Sequence, residues 1–257
     1  MTDNLQNYET GDVVRRYERQ HKLSRAERAI LDAVAKKQGG RMLDIGVGAG
    51  RTTVHFAGVF QDYIGIDYSK PMIDAARHRF AGARGCSFLH CDARDMQMFG
   101  KGSFDFVLFS FNGIDCVSFA DRQKILSEVK RIGKPNSWFA FSTHNLYSLD
   151  VLFSFQFPKN PFKYPGEYKR YKGVKSHNPT KEIMLAHDWY AVFDGDINFT
   201  AEYLYYKPEK QIEELGKHGF VEVQVFSVKT GKVIPVEDVV WQKVDDPWLY
   251  YLCKNSD

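Results

Sequence analysis

The chain has 257 residues, 44% hydrophobic and 26% charged, with a net charge of +3. This allows one large domain with a real core, and so small a charge gives no case for nucleic-acid binding by itself. No run approaches the roughly 18–20 uninterrupted apolar residues of a membrane helix. The stretch Met1-Thr2-Asp3-Asn4-Leu5-Gln6-Asn7 lacks the basic start and apolar segment of a secretory signal, so a cytoplasmic protein without a membrane span is expected. Cys86, Cys91, Cys116 and Cys253 form no CxxC pair. Free thiols are expected, and no metal-ligand set is read.

In chain order, Ser24-Arg25-Ala26-Glu27 is a capping box, serine followed three residues later by glutamate. Ala26, Ala29, Ile30, Ala33 and Val34 recur at helical spacing behind it, and Lys36, Lys37 and Gly39-Gly40 suit the helix end. Arg41 to Ile45 reads as a short buried strand, Arg51 to Phe60 as a helix, and Tyr63 to Asp67 as a second strand. Ser69 can cap the next helix, with Pro71 in its first turn. Strands follow at Cys86 to Cys91, Phe104 to Ser110 and Ser137 to Ser142, with a helix face Ile125, Leu126, Val129 and Ile132 closed by Gly133 and Pro135. Alternating strands and helices predict an α/β fold with a parallel sheet and helices on both faces, a three-layer sandwich.

After Ser142 the alternation breaks. Thr143 to Ala186 reads as an irregular insertion rich in Phe, Tyr, Lys and Pro. Two strands, His187 to Phe193 and Phe199 to Tyr206, are expected to turn at Asp194-Gly195-Asp196. Pro208 opens a helix that ends near Gly219, and strands follow at Phe220 to Val228 and Trp248 to Cys253. The expectation is a single domain over 1–257: a helical cap at 1–40, a ligand-binding core at 41–142, a lid-like, substrate-side insertion at 143–206, and the end of the sheet at 207–257.

The chemistry concentrates where strands end. Asp44, Asp67 and Asp92 each close a strand, and Gly46, Gly48 and Gly50 follow the first of them. Ligands of open α/β sheets sit outside these carboxyl ends. Glycines there let the backbone turn and approach a ligand closely. Asp67 can accept both ribose hydroxyls of a nucleoside, and Asp92, beside Ala93, is placed to meet an adenine edge. A dinucleotide site spaces its glycines as G-x-G-x-x-G. Here the spacing is G-x-G-x-G, and Arg51 stands where the third glycine would be. Asp44 would repel a pyrophosphate and suit an ammonium group, directly or through water.

These motifs resemble those of the class I S-adenosylmethionine-dependent methyltransferases. Leu43 to Gly50 matches the first motif. Gly65 to Met72 looks like the second, Cys91-Asp92-Ala93 like the adenine-side motif, and Phe104 to Val107 with Ser110-Phe111-Asn112 like the fourth. The resemblance implies a seven-stranded sheet whose last strand is antiparallel, with S-adenosyl-L-methionine as cofactor and S-adenosyl-L-homocysteine as product. It implies that Gly46 and Gly48 lie against the methionine and ribose, Asp67 at the ribose hydroxyls, Met72, Asp92 and Ala93 at the adenine, and Ser110 near the reacting methyl group; Asp44, Gly50 and Tyr68 complete the expected cofactor-binding set.

Methyl transfer from a sulfonium needs alignment and exclusion of water more than an acid, because the leaving group is already good. A base helps where the acceptor is an amine or a hydroxyl. His144, after the fifth strand, and Asn112 and Asp115, after the fourth, are the candidate catalytic residues. Tyr8 and Tyr17 lie in a segment expected either to fold over the cofactor or to form a surface helix. In the insertion, Lys159, Lys163, Lys169, Arg170, Lys172, Lys175 and Lys181 interleave with Phe153, Phe155, Phe157, Phe162, Tyr164, Tyr168 and Tyr171. The expected acceptor is therefore a small, anionic metabolite such as a nucleotide sugar, methylated on N or O. An RNA (tRNA) or protein acceptor is the alternative, ahead of a non-catalytic cofactor-binding module or an NAD(P)-dependent enzyme.

Overall fold

The computed structural model describes residues 22–35 and 39–257. Tyr8, Tyr17, Lys36 and Lys37 fall outside that range. The first described helix, α1 (Arg25–Ala35), starts at the capping box. The Ser24 hydroxyl accepts from the Glu27 amide at 3.1 Å, and Glu27 accepts in return from the Ser24 amide at 2.6 Å.

The sheet runs in the order β3 (Cys86–His90), β2 (Asp62–Asp67), β1 (Arg41–Ile45), β4 (Phe104–Phe109), β5 (Gly133–Asn145), β10 (Trp248–Asn255), β8 (Phe220–Ser227) and β9 (Val233–Ile234). Strands β1 to β5 pair in parallel, and β10 lies antiparallel to both neighbours. Two further strands, β6 (Trp189–Val192) and β7 (Tyr203–Tyr206), join the sheet where β7 pairs with His144 and Asn145. The described sheet thus has ten strands, where the resemblance implied seven. Strands β6 and β7 fall in the two segments read as strands from the sequence, and the two-residue β9 was not expected.

Side chains alternate across the strands. Phe106 and Leu108 of β4 enter one core with Ala26, Ile30 and Val34 of α1 and with Ile73 and Ala76 of α3 (Lys70–Arg79). Val107 and Phe109 enter the opposite core. There they meet Ile125, Leu126, Val129 and Ile132 of α4 (Phe119–Ile132) and Leu215 of α8 (Pro208–Lys217). Helices therefore cover both faces.

Three local expectations are corrected. The helix after the glycines is one turn, α2 (Thr53–Phe56), instead of Arg51 to Phe60. The insertion is largely helical: α5 (Leu149–Leu152), α6 (Tyr164–His177) and α7 (Lys181–Leu185). It builds its own small core from Leu146, Leu149, Met184, Val192, Ala201, Tyr203 and Tyr205. The turn expected at Asp194-Gly195-Asp196 is longer, because a 3-10 turn, Asp196–Phe199, separates β6 from β7.

Candidate functional site

The loop after β1 needs its glycines. Gly46 (φ +65°) and Gly50 (φ +83°) adopt left-handed backbone. A Cβ on Gly50 would lie 2.3 Å from the Phe80 ring, and one on Gly46 3.0 Å from Phe109. The Gly48 amide donates to Asp67 Oδ2 at 2.9 Å, and the Ser69 amide to Oδ1 at 2.8 Å. Each oxygen accepts one backbone donor and keeps capacity for another. Burial raises the Asp67 pKa above the ordinary carboxylate value.

These groups line a cleft of about 900 Å³, the open solvent at its mouth included, at the carboxyl ends of the parallel strands. Its walls include Gly46, Asp67, Tyr68, Met72, Asp92, Ala93, Ser110, Phe111, Gly113 and Cys116. Asp92 faces the cleft with its carboxylate clamped by Arg94, at 2.8 Å from Nε and 2.6 Å from Nη2. The Arg94 guanidinium is thus an unforeseen neighbour of the expected adenine contact.

Asp44 does not line the cleft. It is fully buried, and its Oδ2 accepts from the Tyr63 hydroxyl at 2.5 Å and from the Thr52 hydroxyl. These bonds pin β1, β2 and the glycine loop together, and the cleft wall offers no direct ammonium contact to Asp44. Gly48 and Gly50 likewise shape the loop without lining the cleft. Burial pushes the Asp44 carboxyl up to about 6, against the lowering effect of the two hydroxyls. A raised native pKa means the folded state holds the proton more tightly than the unfolded chain. This contribution to stability is present below about pH 4 and is lost as pH rises towards 6. Asp44→Asn should therefore gain stability relative to the wild type as pH rises from 4.5 to 7.5, read by chemical denaturation at each pH; a constant difference between the two proteins would refute a titrating Asp44.

Arg51 has a role that spacing alone did not reveal. Its guanidinium grips Glu27 at 2.5 and 3.0 Å, reaches the Ser110 hydroxyl at 3.1 Å, and lies 5.0 Å over the Phe111 ring. Ser110 also donates to Glu27 and sits 3.1 Å from the Tyr250 hydroxyl. Burial opposes ionisation of Glu27, but Arg51 outweighs it and the pKa falls. The capping-box glutamate thus ties α1 to the end of β4. The ion pair joins residues 24 positions apart, beyond the reach of local pattern.

Past Ser110 the chain makes a strained turn. Phe111 (φ +58°) and Asn112 (φ +59°) are both left-handed, unusual for a phenylalanine. The turn delivers Asn112 Nδ2 to within 3.1 Å of His144 Nε2. On the other side of the ring, Nδ1 lies 2.9 Å from Asp115 Oδ2. A carboxylate fully engaged as an acceptor takes the Nδ1 proton, which leaves Nε2 as the lone-pair nitrogen. The Asn112 Nδ2 donates to it, and Asn112 Oδ1 points elsewhere, buried and without a partner among the described residues. His144 also stacks on Tyr205, centroids 4.5 Å apart.

Asp115 is fully buried. It accepts from the His144 amide at 2.8 Å, the Thr143 hydroxyl at 2.6 Å and Arg122 Nη1 at 2.7 Å. Arg122, fully buried on α4, lies 3.3 Å from Glu214, bonds Gln211, and sits 4.4 Å over the Tyr206 ring. The three expected catalytic residues, Asn112, Asp115 and His144, are therefore contiguous. They stand behind the cleft wall, with Asn112 between the wall residues Phe111 and Gly113. Arg122, Tyr205 and Glu214 support them and were not foreseen.

The family model "Methyltransferase domain" matches residues 42–136. Residues 42–136 are thus similar to a methyltransferase domain. A demethylmenaquinone methyltransferase of Clavibacter sepedonicus is 35% identical to the chain over 107 residues, which is 42% of this chain and 42% of that protein. The chain thus spans less than half the length of this relative. Beyond the methyltransferase domain the likeness is one of fold. An S-adenosylmethionine-dependent methyltransferase of Clostridium acetobutylicum superposes with a TM-score of 0.60 at 14% identity, covering 91% of this chain and 92% of that one. A 1,6-didemethyltoxoflavin-N1-methyltransferase of Burkholderia thailandensis, solved with 1,6-didemethyltoxoflavin and S-adenosylhomocysteine, gives 0.58 at 17% identity, covering 99% and 86%. The matched span 42–136 holds all the cleft-lining residues among those described, from Ile45 to Ile125.

Proposed function

We propose that the protein is an S-adenosyl-L-methionine-dependent methyltransferase acting on the N or O of a small-molecule acceptor. The observation that carries this reading is the Asp67 carboxylate, held by the Gly48 and Ser69 amides on the wall of the cleft. Its two oxygens would receive ribose hydroxyls. Met72 and Ala93 offer an apolar slot for adenine, and Ser110 closes the methionine end.

The residues fit a phosphate-free nucleoside better than a dinucleotide. A pyrophosphate is normally met by the N-terminus of a substantial helix. Here α2 is four residues long, and the Gly48 amide is already donated to Asp67. Arg51 is neutralised by Glu27, and Arg94 by Asp92.

The bound cofactor would supply an electrophilic methyl group. The protein's part is to align an acceptor, exclude water and accept a proton. Asn112 Oδ1, orphaned and buried, suits an N–H or O–H of the acceptor. His144 Nε2 lies one hydrogen bond behind Asn112 and would take the acceptor's proton once the Asn112 amide swings aside; Asp115 would then stabilise the imidazolium.

The insertion lends no support to an anionic acceptor. Among the described residues none beyond Ile125 lines the cleft, and Lys159, Lys163, Lys169, Lys172 and Lys175 are exposed. Transfer of labelled methyl from S-adenosylmethionine to a fractionated metabolite extract tests the activity; no labelled product in any fraction would count against it. His144→Ala should lower turnover by about 10²–10⁴-fold while cofactor affinity stays within about twofold. Unchanged turnover would remove His144 from the mechanism.

A further inference from the structure

The insertion's aromatic and basic residues, unused by the cleft, form a surface of their own. Phe162 is 93% exposed and Phe157 80% exposed, with Tyr168 at 56%. Such protrusion of large apolar side chains is uncommon on a surface with no partner. Four of the insertion's aromatic rings are contiguous. Phe155 packs against Phe157 at 5.0 Å, Tyr171 at 5.9 Å and Tyr164 at 6.1 Å. Along α6, Lys172 lies 5.7 Å from the Tyr168 ring and Lys175 4.3 Å from Tyr171. Between residues 156 and 177 there are five lysines and one arginine against a single carboxylate, Glu167.

Charge decides the kind of partner. Glu167 is engaged by Arg170, which also donates to the carbonyls of Leu152 and Ser154. The arginine is thus a clasp inside the insertion, and the outward charge is all lysine. Phosphate and base recognition favour arginine's planar fork. Diffuse lysine charge around protruding phenylalanines suits a diffuse anionic surface into which rings can insert. We propose that the tip of the insertion, Phe157 and Phe162 flanked by Lys159 and Lys163, docks the protein peripherally on an anionic lipid membrane.

Flotation of the full chain with vesicles tests this. With vesicles of equal parts phosphatidylcholine and phosphatidylglycerol the wild type should float, and high salt should release it. With pure phosphatidylcholine it should stay behind. Phe157→Ala with Phe162→Ala should weaken flotation about tenfold or more, and Lys159→Gln with Lys163→Gln by a similar factor. Both pairs are exposed, so melting temperature should not move. Absence of wild-type flotation, or equal flotation of the phenylalanine pair, would overturn the proposal. So would gel retardation of a single-stranded oligonucleotide that depends on the two phenylalanines without vesicle binding, which would indicate nucleic acid. A dimer dissolved by the phenylalanine pair, again without vesicle binding, would instead assign the patch to a second copy.

Discussion

Asp67→Ala is expected to weaken S-adenosylhomocysteine binding by about 1–3 kcal/mol, roughly five- to a hundredfold or more in Kd. The carboxylate performs two tasks. It accepts the Gly48 and Ser69 amides at 2.9 and 2.8 Å, fixing the glycine loop against the end of β2. It also presents the lone pairs assigned to the ribose. Alanine leaves two backbone donors and two ligand hydroxyls without an acceptor in a site where Asp67 is only 7% exposed. Asp67→Asn keeps the shape but only one accepting oxygen, so it should fall between the wild type and Asp67→Ala. Calorimetric titration of the three proteins decides the matter, and equal affinities would refute the ribose assignment.

Arg122→Ala is expected to cost about 3–5 kcal/mol of stability. Arg122 is fully buried among Asp115, Glu214, Gln211 and the Tyr206 ring. Its removal leaves Asp115 with the Thr143 hydroxyl, the His144 amide and the His144 ring as donors, and leaves Glu214 with uncharged donors from Gln123, Tyr206 and Gln211. A buried pair broken from one side loses more than the pair contributes net, because an unpaired charge stays behind. Thermal unfolding should shift down by about 10 °C. A shift within about 2 °C would mean that water or rearrangement compensates the carboxylates readily. Arg122→Lys should retain part of the loss, since a point charge cannot span Asp115, Glu214 and Gln211 as the fork does.

The strand ends, the glycine loop and the capping box were legible because their signals are local. Asp44, Asp67 and Asp92 sit at successive strand ends, glycines mark the loop, and the capping box forms as spelled. The same locality caused the errors. Arg51 to Phe60 carries helix formers, yet Thr52 and Thr53 are β-branched and Gly58 follows, so one turn survives. Helix α6 was hidden because Pro165, Gly166 and Gly173 mimic a loop and Val174 is its one fully buried side chain. Pro165 in a first turn was the available signal.

Asp44 was misread in direction rather than in place: its strand-end position is right, but Thr52 and Tyr63 claim its carboxylate. Arg122 could have been found, since it lies three residues before Ile125 on the apolar face of α4, where a charge demands a buried partner. Glu27 with Arg51, and Asp115 with Arg122 and Glu214, are pairs created by folding between distant segments. They decide how the site is held, and no window of sequence contains them.

The proposed function makes the cleft a nucleoside site rather than a dinucleotide site, and binding tests that most directly. Titration of the full chain with S-adenosylhomocysteine should give saturable binding that competes with S-adenosylmethionine, and NADH should give none. Binding of NADH with no response to S-adenosylhomocysteine would contradict the account.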